Sequence, residues 1–176
     1  MSQRLDATGL ELIEPTEALE STFRSYVAEF VQREEKLIPF VLGYDARDFG
    51  AMVRRLREDA RGINLPGEYV PASCFWLVER GQTLVGISHL RHRLTPLLAQ
   101  EGGHIGYSVR PSRRNQGLAT TLLSMTLVRA RAMGLKEVLL TCDKLNVTSA
   151  QVIQKNGGKL DSEVQRLDGS GLTQKY

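Results

Sequence analysis

Cysteine is scarce in this chain, and apolar runs of membrane length are missing. The two cysteines among 176 residues, Cys74 and Cys142, lack Cys-x-x-Cys spacing and each borders an apolar run, so neither a disulfide scaffold nor a zinc site is expected. The longest uninterrupted apolar stretches are short, as in Val138-Leu139-Leu140, which excludes a helical membrane span and a membrane partner. Residues Met1 to Asp6 lack the basic start and apolar core of a secretory leader and bring in an acid too early for a transit peptide; the cytoplasm is the expected compartment. Aromatic residues are 6% of the chain and few interleave its bases, which counts against nucleic acid as a partner. Neither Gly-x4-Gly-Lys-Ser/Thr nor a Gly-x-Gly-x-x-Gly between strand and helix occurs, so two common phosphate-binding signatures are absent. His89 and His92 stand at i and i+3 of a strand-like segment, on opposite faces, and no metal site is expected.

What is present is an ordinary globular composition. With 41% hydrophobic and 24% charged residues, 1–176 is expected to form a single domain with its own core. The net charge of +3 is unevenly placed. Met1 to Lys36 carries eight acids and four bases, a local −4, whereas Gly102 to Lys136 carries six bases (Arg110, Arg113, Arg114, Arg129, Arg131, Lys136) and no acid. Such a stretch is either a site for a polyanionic ligand or a solvated helix face.

Periodicity orders the elements. A short strand at Leu10–Ile13 precedes a helix capped by Thr16, with Leu19, Phe23, Tyr26, Val27, Phe30 and Val31 at helical spacing. A second amphipathic helix is expected over about Asp45–Ala60, after the irregular apolar segment Ile38–Tyr44, which is suited to form a pocket wall. Ser73–Val78 and Gln82–Leu90 read as a hairpin turning at Glu79-Arg80-Gly81-Gln82. Thr95–Gly103 reads as a loop, His104–Val109 as a strand and Gln116–Met133 as a long helix with Gly134 as its C′ residue. Glu137–Cys142 reads as a strand, a helix opens at Asn146 or Thr148 and stops at Asn156-Gly157-Gly158, and two strands flank Gly169-Ser170-Gly171. The pattern is still strand-like at Tyr176, which leaves room for natural residues beyond it.

The most informative stretch is Gly106 to Thr120. A strand ends at Val109, an arginine-rich turn follows, and Gly117 and Ala119 fall in the first turn of a helix, where unpaired amides and the helix dipole favour a phosphate. Small residues at 117 and 119 let an anion approach the backbone. In this setting Arg114-Asn115-Gln116-Gly117-Leu118-Ala119 resembles the Arg/Gln-x-x-Gly-x-Gly/Ala signature of the GNAT superfamily of N-acetyltransferases. The likeness covers about residues 72 to 160. The strings Gly-His-Ile-Gly-Tyr-Ser-Val-Arg-Pro at 103–111 and Thr-Cys-Asp-Lys-Leu-Asn at 141–146 look like a branch of predicted bacterial acetyltransferases.

The resemblance implies an α/β (α+β) fold: a mixed, mostly antiparallel sheet of about six to seven strands, flanked by about four helices and splayed between the fourth and fifth strands. It implies acetyl-coenzyme A as cosubstrate. The pyrophosphate would lie on amides of Arg114, Asn115, Gln116, Gly117, Leu118, Ala119 and Thr120, and the pantetheine arm against main-chain groups of Tyr107, Val109 and Arg110. Asn146 and Ser149 would touch the arm from the last core helix, although Asn146 also suits a plain helix N-cap. The implied reaction is direct acetyl transfer to a primary amine of a small molecule or peptide, by a monomer or homodimer.

Such a reaction needs a neutral amine, a donor to the developing oxyanion and a proton for the leaving thiolate. The Val109 amide is the expected donor. His104 is a candidate base, with Glu101 as its rival, and a histidine without chemical role remains the plain alternative. The family's usual tyrosine acid is replaced by Ile153, leaving Tyr176, Tyr107 or solvent, and this departure keeps open a non-catalytic acyl-coenzyme A sensor. Cys142 reads as a packed thiol rather than an acyl carrier. Glu34, Glu35, Asp45 and Asp48 are candidates to attract a cationic acceptor or are simply solvated.

Overall fold

Because β2 (Ala72–Glu79) and β3 (Thr83–Arg91) are buried on both faces, their sequences are nearly continuous apolar runs. In the computed structural model, which describes residues 9–176, they pair antiparallel through a type I′ turn in which Arg80 and Gly81 have φ of 50° and 69°. The N-terminal residues 1–8, including Asp6 of the acidic count and the leader reading, lie outside the described residues. β1 (Leu10–Ile13) and β4 (Ile105–Val109) complete a four-stranded antiparallel sheet ordered β1-β2-β3-β4. A second antiparallel sheet, ordered β5-β7-β6, contains β5 (Thr141–Asp143), β6 (Ser162–Gln165) and β7 (Leu172–Lys175).

Two cores sandwich the first sheet. On one face α1 (Glu20–Gln32) and α2 (Phe49–Arg61) pack Phe23, Tyr26, Met52 and Val53 onto Trp76 and Ile87, with the Phe23 ring stacked 5.4 Å from Trp76. On the other, α4 (Leu118–Ala132) sets Leu122 and Leu123 against Leu77, Val85 and Leu90, and α5 (Val147–Lys155) adds Val152 and Ile153. Burying each such side chain contributes about 1.5–3 kcal/mol. At Gly86 the packing is tight: a Cβ there would lie 3.0 Å from Leu122 Cδ2 of α4 and 3.3 Å from the Ser108 carbonyl. Two polar clamps fix the helices to the sheet. Tyr26 Oη bonds Ser108 Oγ at 2.9 Å, and Ser88 Oγ bonds Thr126 Oγ1 at 2.7 Å.

The structure departs from the expected elements in two places that matter. Residues 95–103 are not all loop: Thr95 caps a short helix, α3 (Pro96–Gln100), by accepting the Leu98 N–H, and Pro96 stands at a first-turn position where its missing N–H costs nothing. β5 is half its expected length. Leu139 and Leu140 turn their hydrogen bonds to opposite partners, Leu139 to His104 and Leu140 to Tyr176, so this segment is the joint between the sheets. α4 and α5 begin at residues 118 and 147, after Gly117 and Asn146 as caps, and Gly134 takes its C′ role with φ 88°. Among the described residues no helix is long and apolar enough to cross a membrane.

Candidate functional site

The joint at Leu139 is the apex of a cleft. Gly103, with φ 60°, approaches so closely that a Cβ would stand 2.6 Å from the Leu139 carbonyl oxygen, and the His104 N–H donates to that oxygen at 2.7 Å. Beyond this point β4 and β5 part, since β5 pairs with β7 and β4 only with β3. The antiparallel pattern determines which main-chain groups face the opening. The Arg91 N–H donates to His104 and the Arg110 N–H to Val85, so the even-numbered residues of this stretch bond β3, and Ile105, Tyr107 and Val109 point their amides and carbonyls into the cleft. Arg110 is thereby corrected: its amide is committed to β3.

The Arg110 side chain is committed as well. It is buried and donates to the Leu84 carbonyl, Ser25, the Thr22 carbonyl and Glu29, bracing β4 against α1. Arg113 pairs with Glu79 at 2.9 and 3.1 Å and also donates to Gln116 Oε1. Arg114 pairs through both terminal nitrogens with Glu35, at 2.9 Å for one of them. The three turn arginines are thus matched by acids from α1, the segment after it and β2. The turn's half of the acid-free stretch therefore does not present its formal charge to a ligand, and Glu35, read as a possible attraction for an amine, serves Arg114 instead. Asp45 pairs with Arg47, and Asp48 caps α2 by accepting the Ala51 N–H.

What the turn does present is its backbone. The amides of Asn115, Gln116, Gly117, Leu118, Ala119 and Thr120 have no acceptor among the described residues; the first paired amide of α4 is that of Thr121, bonded to the Gly117 carbonyl. Asn115 and Gly117 have φ of 62° and 77°, the left-handed backbone that bends this chain into a concave cradle. A Cβ on Gly117 would meet nothing within 4 Å, so the space before the cradle is open. The Glu29 carboxylate holds the loop's start by accepting from the Ser112 N–H, the Ser112 hydroxyl and Arg110.

Side-chain chemistry comes from across the cleft. Tyr107 Oη meets Ser149 Oγ of α5 at 2.9 Å, a hydroxyl pair bridging β4 and α5; burial pushes the Tyr107 phenol up to about 12. Asn146 is the N-cap of α5, accepting the Ser149 N–H at 3.1 Å. Cys142 is buried beside them, and burial raises its thiol.

Of the four candidate acid–base side chains, His104, Glu101 and Tyr176 are otherwise engaged. His104 Nδ1 accepts the Leu139 N–H at 2.9 Å, so in the neutral ring Nε2 carries the proton; accepting another proton would sacrifice that bond, and burial already holds the imidazole below its ordinary value. Glu101 accepts the Leu167 N–H and pairs with Arg166, which also holds Asp143. Tyr176 Oη donates to Gln174 rather than standing free. Sequence reasoning missed Glu29, Glu35 and Glu79 as holders of the loop. The available signal for Glu29 and Glu35 was the opposed charge of the two segments, which the fold brings together, and Glu79 of β2 carried no such signal. Among the described residues no three His, Cys, Asp or Glu side chains are grouped to hold a metal ion.

The sequence profile of the acetyltransferase (GNAT) family matches residues 47–158. No curated protein sequence matches the chain. Among solved structures, the ribosomal-protein-S5-alanine acetyltransferase of Vibrio fischeri superposes with a TM-score of 0.71 at 16% identity, over 100% of this chain and 96% of that one. RimL, a ribosomal L7/L12 alpha-N-protein acetyltransferase in complex with coenzyme A, gives 0.67 at 15% identity over 98% and 96%. The microcin C7 self-immunity acetyltransferase MccE, in complex with acetyl-CoA and AMP, gives 0.67 at 12% identity over 97% and 95%. At these identities the likeness is one of fold.

Proposed function

The chain belongs to the GNAT acetyltransferase family, and we propose that it transfers an acetyl group from acetyl-coenzyme A to a primary amine of a small molecule or peptide, by direct attack in a ternary complex. The observation that carries this reading is a pair of unpartnered main-chain donor sets on one side of the cleft. One is Tyr107 and Val109 at the open edge of β4, and the other is the cradle at residues 115–120, with the bonded turn 110–114 between them. The amides of the cradle suit a pyrophosphate, and the edge of β4 suits an amide-containing arm laid beside it as an extra strand. The complexes of RimL with coenzyme A and of MccE with acetyl-CoA support the choice of cosubstrate.

Acetyl-coenzyme A supplies an activated thioester. The chain's residues then have three tasks. The Val109 amide donates to the oxygen on which charge develops. The Tyr107–Ser149 hydroxyl pair, facing each other across the cleft, delivers a proton to the thiolate as the carbon–sulfur bond breaks after the carbon–nitrogen bond has formed, and regains a proton from water. The acceptor enters neutral and gives its surplus proton to water, since His104 and Glu101 hold backbone and ion-pair positions. A hollow of ≈ 430 Å³ lined by Tyr44, Asp45, Asp48, Met52, Arg55 and Tyr69, next to the loop that packs Pro39 on Gly106, is the proposed source of acceptor selectivity.

We read residues 1–176 as one cytoplasmic catalytic domain working as a monomer or homodimer. The sensor reading keeps one specific support, the buried Ile153 at the position where relatives often carry tyrosine. Thiol release from acetyl-coenzyme A with a panel of primary amines, beside calorimetry with coenzyme A, separates the two. Turnover with any amine establishes the transferase; tight cofactor binding without turnover on every amine overturns it in favour of the sensor.

A further inference from the structure

Resting on that reading of the cofactor site, we infer that Glu35 is an internal competitor of the cofactor's phosphate for the Arg114 guanidinium. The two carboxylates that reach the signature loop from the α1 side are held very differently. Glu29 accepts from three donors, the Ser112 amide, the Ser112 hydroxyl and Arg110, and its pair with Arg110 is largely buried. Removing any one donor leaves two. Glu35 has Arg114 as its side-chain partner and no second donor among the described residues, and both members remain partly exposed, at 32% and 41% of side-chain area. The first carboxylate is a fixed anchor, and the second is a contact that can be given up.

The local backbone aims Glu35 at this contact. α1 ends in a Schellman arrangement in which the Glu34 N–H donates to Val31 and the Glu35 N–H to Phe30. Glu34 is the left-handed residue of this motif, with φ 56°, a conformation that costs a non-glycine residue about 1 kcal/mol. The turn brings Glu35 back over the loop, where Arg114 lies with its guanidinium 5.6 Å from the Phe30 ring centroid.

Arg114 immediately precedes the cradle of open amides, so a phosphate seated on Asn115–Thr120 comes within the arginine's reach. Guanidinium binds carboxylate and phosphate with the same bidentate fork, so one Arg114 cannot satisfy both fully. Glu35 neutralises the arginine and keeps it folded against Phe30. When phosphate arrives, Arg114 exchanges one anion for the other, and affinity is lowered by the strength of the contact it leaves.

The test is calorimetry on the whole chain and its Glu35→Gln, Arg114→Gln and double variants, with coenzyme A, dephospho-coenzyme A and pantetheine as probes, folding being checked by circular dichroism. Competition requires Glu35→Gln to bind coenzyme A about two- to fivefold more tightly, the range for a partly exposed ion pair, and Arg114→Gln to bind it more weakly. The double variant should match Arg114→Gln, and pantetheine, which has no phosphate, should be indifferent to residue 35. Retention of the gain with dephospho-coenzyme A identifies the pyrophosphate as Arg114's ligand, and its loss identifies the 3′-phosphate. If Glu35→Gln binds coenzyme A equally or more weakly, or changes pantetheine binding to the same extent, Glu35 is merely structural and the inference falls. If the unmodified chain binds no coenzyme A at all, the cofactor reading itself fails instead.

Discussion

The two walls of the cleft are built on different principles. The β4 wall faces it with main chain: outward amides of Tyr107 and Val109 and the cradle at 115–120, backed by α1, β3 and α4. Its charged side chains point away or are neutralised by Glu29, Glu35 and Glu79. The β5 wall is three residues of strand and the start of α5, and it contributes side chains: Ser149, the Asn146 cap and the buried Cys142. Main-chain recognition reads only that a ligand has amides and phosphates, and suits a cosubstrate common to many reactions. Side-chain recognition carries the chemistry. Changes in the main-chain cradle of the first wall should therefore remove binding, and changes to the hydroxyl pair that joins Tyr107 to the second wall should slow turnover.

The largest effect is expected at the cradle. Gly117→Glu puts a carboxylate where the phosphate is to lie, without a clash, because a Cβ there meets nothing within 4 Å. Coenzyme A binding should fall by about a hundredfold or more, while the left-handed φ of 77° costs the new side chain only about 1–2 kcal/mol of stability. Calorimetry paired with urea unfolding checks both; unchanged affinity would remove the cradle from the first wall. At the apex, Gly103→Ala forces a Cβ to 2.6 Å from the Leu139 carbonyl at φ 60°. A loss of about 3 kcal/mol in urea unfolding is expected. A loss below about 1 kcal/mol would mean the two walls are not pinned there.

Much of the first wall could be read from the chain before the fold was known, and little of the second. The β2–β3 hairpin, the strand before the signature and the helix after it follow from local turn chemistry, β-branched runs and a glycine stop, all encoded within a few residues. The parity that turns Tyr107 and Val109 outward and Arg110 inward depends on β3 register, which the sequence of β4 does not contain. The counter-ions of Arg110, Arg113 and Arg114 lie 81, 34 and 79 residues away, so a local charge count does not distinguish a neutralised strut from a free cation. The Tyr107–Ser149 bridge spans 42 residues and two elements, and only the splay brings it together.

Behind the first wall lies a test in pH. All three histidines, His89, His92 and His104, are held below the ordinary imidazole value, chiefly by burial, and His89 falls to about 3. A lowered native pKa means that below about 6.5 the unfolded chain binds protons the folded chain refuses, so stability is full above that pH and declines as pH falls. His89 alone should account for about 1.5 kcal/mol between pH 6.5 and 5, above the range of the carboxylate ion pairs. Urea unfolding across this window should show the slope, and His89→Leu should flatten it. An unchanged slope in that variant would mean the layer under β4 is not the acid-sensitive part of the fold.

The smallest expected effect falls on the second wall and bears most directly on chemistry. Ser149→Ala removes the hydroxyl that faces Tyr107 but keeps the main-chain N–H that Asn146 accepts, so α5 retains its cap. If the hydroxyl pair delivers the thiolate's proton, kcat should drop about tenfold, roughly 1.4 kcal/mol, with coenzyme A affinity nearly unchanged. The remaining Tyr107 hydroxyl, whose proton is held up to about 12, is a poorer donor alone, and Tyr107→Phe should give a comparable drop. Because the two hydroxyls act as one unit, the double variant should be little worse than either single change. A loss confined to coenzyme A affinity would instead move Ser149 into the binding group and leave the thiolate's proton to solvent.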